Sequence, residues 1–125
     1  MRTVAIILAS LLVVSPVLAQ PPSAATEAEI SHLLSYLGTS GCEFYRNGNW
    51  YDANEARSHL QRKLDYLVKH SLVTTTDDFI VRGASSSSMS GEEYLVRCPG
   101  ADPVKSRAWL TAELQRYRSA SPGSS

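Results

Sequence analysis

The sequence predicts an α+β domain: a small antiparallel sheet of about three strands, packed with about four helices and closed by one disulfide. Three observations carry that reading. Asn47-Gly48, the strongest short hairpin signal, separates two strand-like runs at 42–46 and 49–51. Helical and strand-like segments do not alternate one for one, as parallel βαβ units require. The two cysteines, Cys42 and Cys98, sit at the start of the first strand-like run and the end of the third.

The elements follow in order. Gln20 to Ala25 is Pro-rich and without periodicity, so residues 20–25 are read as a flexible leader. Thr26 with Glu29 makes a capping box, after which Ile30, Leu33, Leu34 and Leu37 fall at helical spacing and Gly38 stops the helix. Strand alternation then puts Cys42 and Phe44 on one face, Glu43 and Tyr45 on the other. Asp52 with Glu55 opens the longest helix, 53–69. Thr75 or Thr76 caps a short helix near 77–84, with Asp77 and Asp78 suiting its N-terminus. A small-residue loop, 85–91, leads to a strand at 94–98. Ser106 caps a final helix, 107–118, whose apolar side carries Trp109, Leu110, Leu114 and Tyr117. The single domain therefore spans 26–118, and 119–125 is a polar tail.

Length fits one domain of at most 125 residues, and a composition 43% hydrophobic argues against a disordered chain, a collagen-like repeat or a low-complexity segment. Twelve basic residues balance twelve acidic ones. That balance gives no electrostatic reason to bind nucleic acid or an acidic membrane surface.

The N-terminus reads as an address. Arg2, the apolar run Val4 to Val14 and Val17-Leu18-Ala19 form a secretory signal, residues 1–19, with cleavage expected after Ala19. The apolar run is too short to span a bilayer, which takes about 20 residues. Export implies a soluble protein without membrane contact after cleavage, in an oxidising compartment where Cys42 and Cys98 pair. They are the only thiols, so no other intramolecular pairing exists. The bridge would close a loop of about 57 residues, for which chain entropy alone assigns about 4 kcal/mol. A redox role would call for a C-x-x-C spacing, which is absent.

The stretch Ser40-Gly41-Cys42-Glu43-Phe44-Tyr45-Arg46-Asn47-Gly48-Asn49-Trp50-Tyr51 resembles the YfeK-like family of small exported bacterial proteins, a domain of unknown function. Glu55-Ala56, His59-Leu60, Lys63-Leu64-Asp65-Tyr66, Phe79-Ile80, Ser87-Ser88-Met89-Ser90-Gly91, Tyr94-Leu95-Val96 and Cys98 extend the resemblance over about 27–117. It implies a Gram-negative periplasmic setting and supports the disulfide. It carries over no catalytic residue.

Three features are candidates for chemistry. On the long helix, Ala53, Ala56, Leu64 and Leu67 fall within about 40° of Leu60, the core stripe. Asp52, Glu55, His59, Lys63, Tyr66 and His70 share a second stripe that suits a polar cleft, and Arg46 and Tyr51 of the hairpin are expected to close it. The bland alternative is a solvated boundary face of i,i+4 pairs. The serine loop, with Ser88, Ser90 and Tyr94, is the second candidate. It has no G-x-S-x-G elbow, and its sequence is loosely similar to the Ser/Gly/Tyr loop of periplasmic C-type lysozyme inhibitors. Those inhibitors are small β-barrels, whereas this chain is expected to be about half helical. Metal is the third, and no metal or other cofactor is expected. His32, His59 and His70 are the only histidines, and His59 lies about 16 Å along the helix from His70.

These readings converge on a small periplasmic binding domain whose partner is an unidentified protein or small ligand and whose oligomeric state stays open. Two alternatives accompany it. One is a hydrolase using His59 with Glu55 or a serine of 85–90; the other is an inhibitor of a cell-wall lytic enzyme acting through Ser88 to Tyr94.

Overall fold

A computed structural model describes residues 2–13 and 20–120. The end of the apolar run, the expected cleavage site at Ala19 and most of the expected tail, 121–125, lie outside the described residues. Residues 2–13 have no regular structure and their apolar side chains are exposed. Among the described residues no helix is long and apolar enough to cross a membrane.

Among the described residues four helices and four strands follow in the order α1 (Ala24–Gly38), β1 (Glu43–Arg46), β2 (Asn49–Tyr51), α2 (Ala53–Lys69), α3 (Thr76–Gly83), β3 (Leu95–Arg97), β4 (Val104–Lys105) and α4 (Ser106–Ala120). The sheet is antiparallel throughout, in the order β2-β1-β3-β4. The α+β class and the disulfide between Cys42 and Cys98 are as expected; the bridge staples β1 to β3 at one end of their ladder.

Register fixes which side chains meet the helices. Phe44 pairs with Tyr51 on one side and Val96 on the other. Opposed residues in a ladder share a face, and so do residues two apart along a strand. The helix-facing surface therefore carries Phe44, Arg46, Tyr51, Tyr94 and Val96. The opposite face carries Glu43, Tyr45, Trp50, Leu95 and Arg97, and there the Arg97 guanidinium lies 4.0 Å from the Trp50 ring centroid. The hairpin turn puts Asn47 at φ 47° and Gly48 at φ 90°. Two successive positive φ values are the primed turn that matches strand twist, and Asn-Gly supplies it at least cost.

One core joins the layers. Leu33 and Leu37 of α1, Leu60 and Leu67 of α2, Phe79 and Ile80 of α3, Val96 of β3, and Leu110 and Leu114 of α4 are buried together. Leu64 packs at its edge, so the core stripe of α2 is the expected one.

Three expectations need correction. The first helix begins at Ala24, and its cap is Ser23, whose Oγ accepts the Thr26 amide at 3.2 Å. Extended Ser23 followed by two alanines is a better start than Thr26, because alanine has the highest helix propensity. Glu29, freed from capping, accepts from Thr76 at 2.7 Å and from Arg118 at 2.6 Å. The fourth strand has only two residues, too short to give periodicity, and it pairs Val104 with Val96. Ser106 is the first residue of α4 and not a cap before it: it is buried, and its amide donates to the Tyr94 carbonyl at 2.9 Å, which ties the helix start to the chain entering β3.

Candidate functional site

A cleft of about 30 Å³ opens where α2 crosses the helix-facing side of the sheet. Leu37, Phe44, Ala56 and Leu60 form apolar wall; Arg46, Tyr51, Glu55, His59 and Tyr94 bring polar groups. That volume admits about two water molecules. Arg46, Tyr51 and Glu55 also line an outer groove with Asn54, Ser58 and Arg62.

Each group arrives for a local reason. Arg46 is two residues beyond Phe44, so strand alternation aims both at α2. Tyr94 stands two residues before Val96 on the same face. Asp52 caps α2 by accepting the Glu55 amide at 2.8 Å. Glu55, His59 and Lys63 then follow at four-residue spacing along one side of the helix.

The hydrogen bonds form one chain. An Arg46 guanidinium nitrogen meets His59 Nδ1, and His59 Nε2 lies 3.2 Å from the Tyr94 hydroxyl. Guanidinium has no acceptor, so Nδ1 is assigned as the bare nitrogen and Nε2 as the donor to Tyr94. Lys63 Nζ donates to the same hydroxyl at 3.1 Å and to the Ser86 carbonyl at 2.9 Å. Arg46 also stacks over the Tyr51 ring, 4.5 Å from its centroid.

Electrostatics match that geometry. Burial, then the positive charges of Arg46, Lys63 and Arg62, push the His59 pKa down from 6.5 to about 4. The imidazole is neutral at pH 7. Burial, then Arg46, push the Lys63 pKa from 10.5 to about 8. Burial raises that of Tyr94, with Arg46 opposing. Among the described residues neither Arg46 nor Lys63 forms a salt bridge.

The expected site residues divide. Arg46, Tyr51, Glu55, His59, Lys63 and Tyr94 come together. Tyr66 does not: it is exposed at 59% and packs on His70, ring centroids 4.2 Å apart, where the second stripe of α2 has run past the sheet. Ser88 and Ser90 are exposed and stay off the imidazole. Ser90 Oγ donates to Asn47 Oδ1 at 2.6 Å, and Ser87, buried, accepts from Asn47 Nδ2 at 3.0 Å. Asn47 is thus a site-building residue beyond its turn role, a task its Asn-Gly signal conceals. No serine hydroxyl and no carboxylate bonds to His59 among the described residues. Nor do three of His, Cys, Asp and Glu cluster there as a metal site would require.

With that geometry defined, comparison with known proteins supplies the lineage. A family model described as "Family of unknown function (DUF5329)" matches residues 24–118. The chain belongs to that family. The matched span of DUF5329 runs from α1 almost to the end of α4 and contains every residue of the cleft. An uncharacterized protein YfeK of Salmonella typhimurium is 38% identical over 69 residues, 54% of this chain and 56% of its own length. The match to that relative therefore spans little more than half of it. No solved structure matches the chain.

Proposed function

We propose that the protein is an exported, non-catalytic binding domain that receives the polar end of a small ligand where the cleft between α2 and the sheet meets the outer groove lined by Arg46, Tyr51, Glu55 and Arg62. The observation that carries this reading is the closed chain Arg46–His59–Tyr94–Lys63. Catalysis by His59 calls for a nucleophile or an orienting carboxylate on the ring. Here one nitrogen faces a guanidinium and the other a phenol, and both are occupied. Fixed polar groups beside an apolar wall suit recognition. Export rests on Arg2 and the apolar run after it, and the periplasm as its destination on what the YfeK-like resemblance implies.

The test is a fragment screen by ¹H–¹⁵N NMR with charged and neutral members. Ligands are expected to shift Arg46, Tyr51, His59 and Tyr94 together. An unresponsive cleft, combined with His59-dependent turnover of ester substrates, overturns the reading in favour of the hydrolase. Cell fractionation tests export: the protein should leave with the periplasm, starting near Gln20.

One observation favours a second surface. Met89 is 97% exposed at the tip of a loop held by the Gly91 amide to Ser87 carbonyl bond at 2.9 Å and by the Asn47 contacts. A pinned loop presenting Ser88, Met89 and Ser90 suits contact with a protein partner. In-cell crosslinking that loses a dominant partner when these three become alanine supports that role; unchanged crosslinks remove it.

A further inference from the structure

We propose that the cluster of Arg46, His59, Lys63 and Tyr94 is an oxyanion site, taking the carboxylate or phosphate of a small soluble ligand. The inference rests on the binding-domain reading and specifies the ligand's chemistry.

The argument is a surplus of donors. Guanidinium and ammonium groups carry five and three N–H donors and accept nothing. Arg46 directs one nitrogen to His59 Nδ1. Lys63 directs its ammonium to Ser86 and Tyr94. The acceptors bonded within the cluster are His59 Nδ1, the Tyr94 oxygen and the Ser86 carbonyl, and each is already engaged; the Glu55 carboxylate at the rim of the cleft is exposed and bonded to none of these donors. Tyr94 accepts from both His59 and Lys63, so its own hydrogen is left to donate, and among the described residues no protein acceptor takes it. Toward the free donors of Arg46, Lys63 and Tyr94 a ligand must bring acceptors. Oxyanions do so, and a guanidinium engages them in two parallel bonds.

Charge points the same way. Half-buried charges are normally matched by a counter-ion, because desolvating an unpaired ion is expensive. Arg46 and Lys63 are half-buried and held over the rings of Tyr51 and Tyr94, at 4.5 and 4.9 Å. Cation–π contact offsets only part of that cost. Other charged groups do not cancel them. Glu55 is the acidic residue lining the cleft, exposed and without a salt bridge to Arg46. Arg62 adds a third cation in the outer groove that Arg46, Tyr51 and Glu55 share. Glu92 accepts from the Tyr45 hydroxyl, and Glu93 pairs with Lys105 at 3.3 Å.

The test uses simple anions and their neutral isosteres on the purified protein at constant ionic strength in chloride. Acetate and sulfate are titrated beside acetamide and dimethyl sulfone, following the Arg46 Nε–H and His59 ring signals by NMR. Saturable shifts with the anions, at least tenfold weaker with the isosteres and in Arg46→Met, are the expected result. Acetate preferred over sulfate identifies a planar carboxylate as the natural group, and the reverse a phosphate-like tetrahedron. Arg46→Lys, which keeps the charge, should recover part of the binding, separating loss of charge from misfolding. If acetamide and dimethyl sulfone bind as well as the anions, the oxyanion inference falls and the binding-domain reading stands. If no probe shifts the cleft, the inference falls, and the fragment screen alone decides the broader reading.

Discussion

Neutral His59 makes the protein sensitive to mild acid. Its pKa is about 4 folded against 6.5 for a free imidazole. Between those values the unfolded chain holds a proton that the folded chain excludes. Stability is therefore complete above about pH 6.5 and is lost as pH falls toward 4. Each tenfold change in proton affinity corresponds to about 1.4 kcal/mol, so the full difference approaches about 3 kcal/mol. Water reaches the half-buried ring and screens it, which halves the figure to about 1.5 kcal/mol. For a domain of this size that is about 6–12 °C in Tm. Carboxylates held low, Glu29, Asp78 and Glu113, lose their contribution only below their ordinary values of 4.5, 3.8 and 4.5. The interval from 6.5 to 4.5 thus belongs largely to the imidazole. Thermal melts from pH 7.5 to 4.5 should fall more steeply in the parent than in His59→Gln, which does not titrate. Parallel curves, or a His59 ring that titrates near 6.5 by NMR, refute the reasoning.

Other outcomes follow from the same contacts. Replacing Cys42 and Cys98 by alanine together opens a link spanning 56 residues and should cost about 4 kcal/mol, read from the urea midpoint under non-reducing conditions. Gly48→Ala, at φ +90°, should lose about 1 kcal/mol, whereas Gly48→Asn should lose less than half of that; equal losses would show that the turn is not under conformational control. Phe79→Ala, with no exposed surface in the parent, should cost about 3–5 kcal/mol by chemical denaturation.

Much of this fold is legible in the sequence because its elements announce themselves locally. Asn47-Gly48 names its turn, and Leu60, Leu64 and Leu67 name the buried side of α2. The elements that were hidden lack such signals. Val104-Lys105 is a strand only because β3 offers it an edge. The buried Glu113 has no sequence cue: its place between His32, at 2.9 Å, and Arg116, at 2.7 Å, depends on how α1 and α4 pack. For the site, four-residue spacing brings out Glu55, His59 and Lys63, while Tyr66 belongs to the same stripe and misses the cleft. Periodicity gives direction around a helix, but where the neighbouring sheet ends along its axis is a tertiary fact.

The cluster also sets stability against function, and Lys63 separates the two. A lysine retained for structure loses stabilising contacts when removed. Lys63 has hydrogen bonds to Ser86 and Tyr94, together contributing about 1–3 kcal/mol. Against them stands burial beside Arg46, which pushes its pKa from 10.5 to about 8. That depression corresponds to about 3 kcal/mol of strain on the charged form, and screening halves it to about 1.5 kcal/mol. The terms nearly cancel, so Lys63→Met, which keeps the aliphatic stem, should leave stability within about 1 kcal/mol of the parent. The same substitution should weaken acetate or sulfate binding several-fold by removing one of two central cations. Denaturant unfolding and the anion titration measure the two effects on one sample. A stability loss above about 2 kcal/mol with unchanged anion affinity would make Lys63 a structural strut. Preserved stability with lost affinity is what a charge kept for a ligand requires.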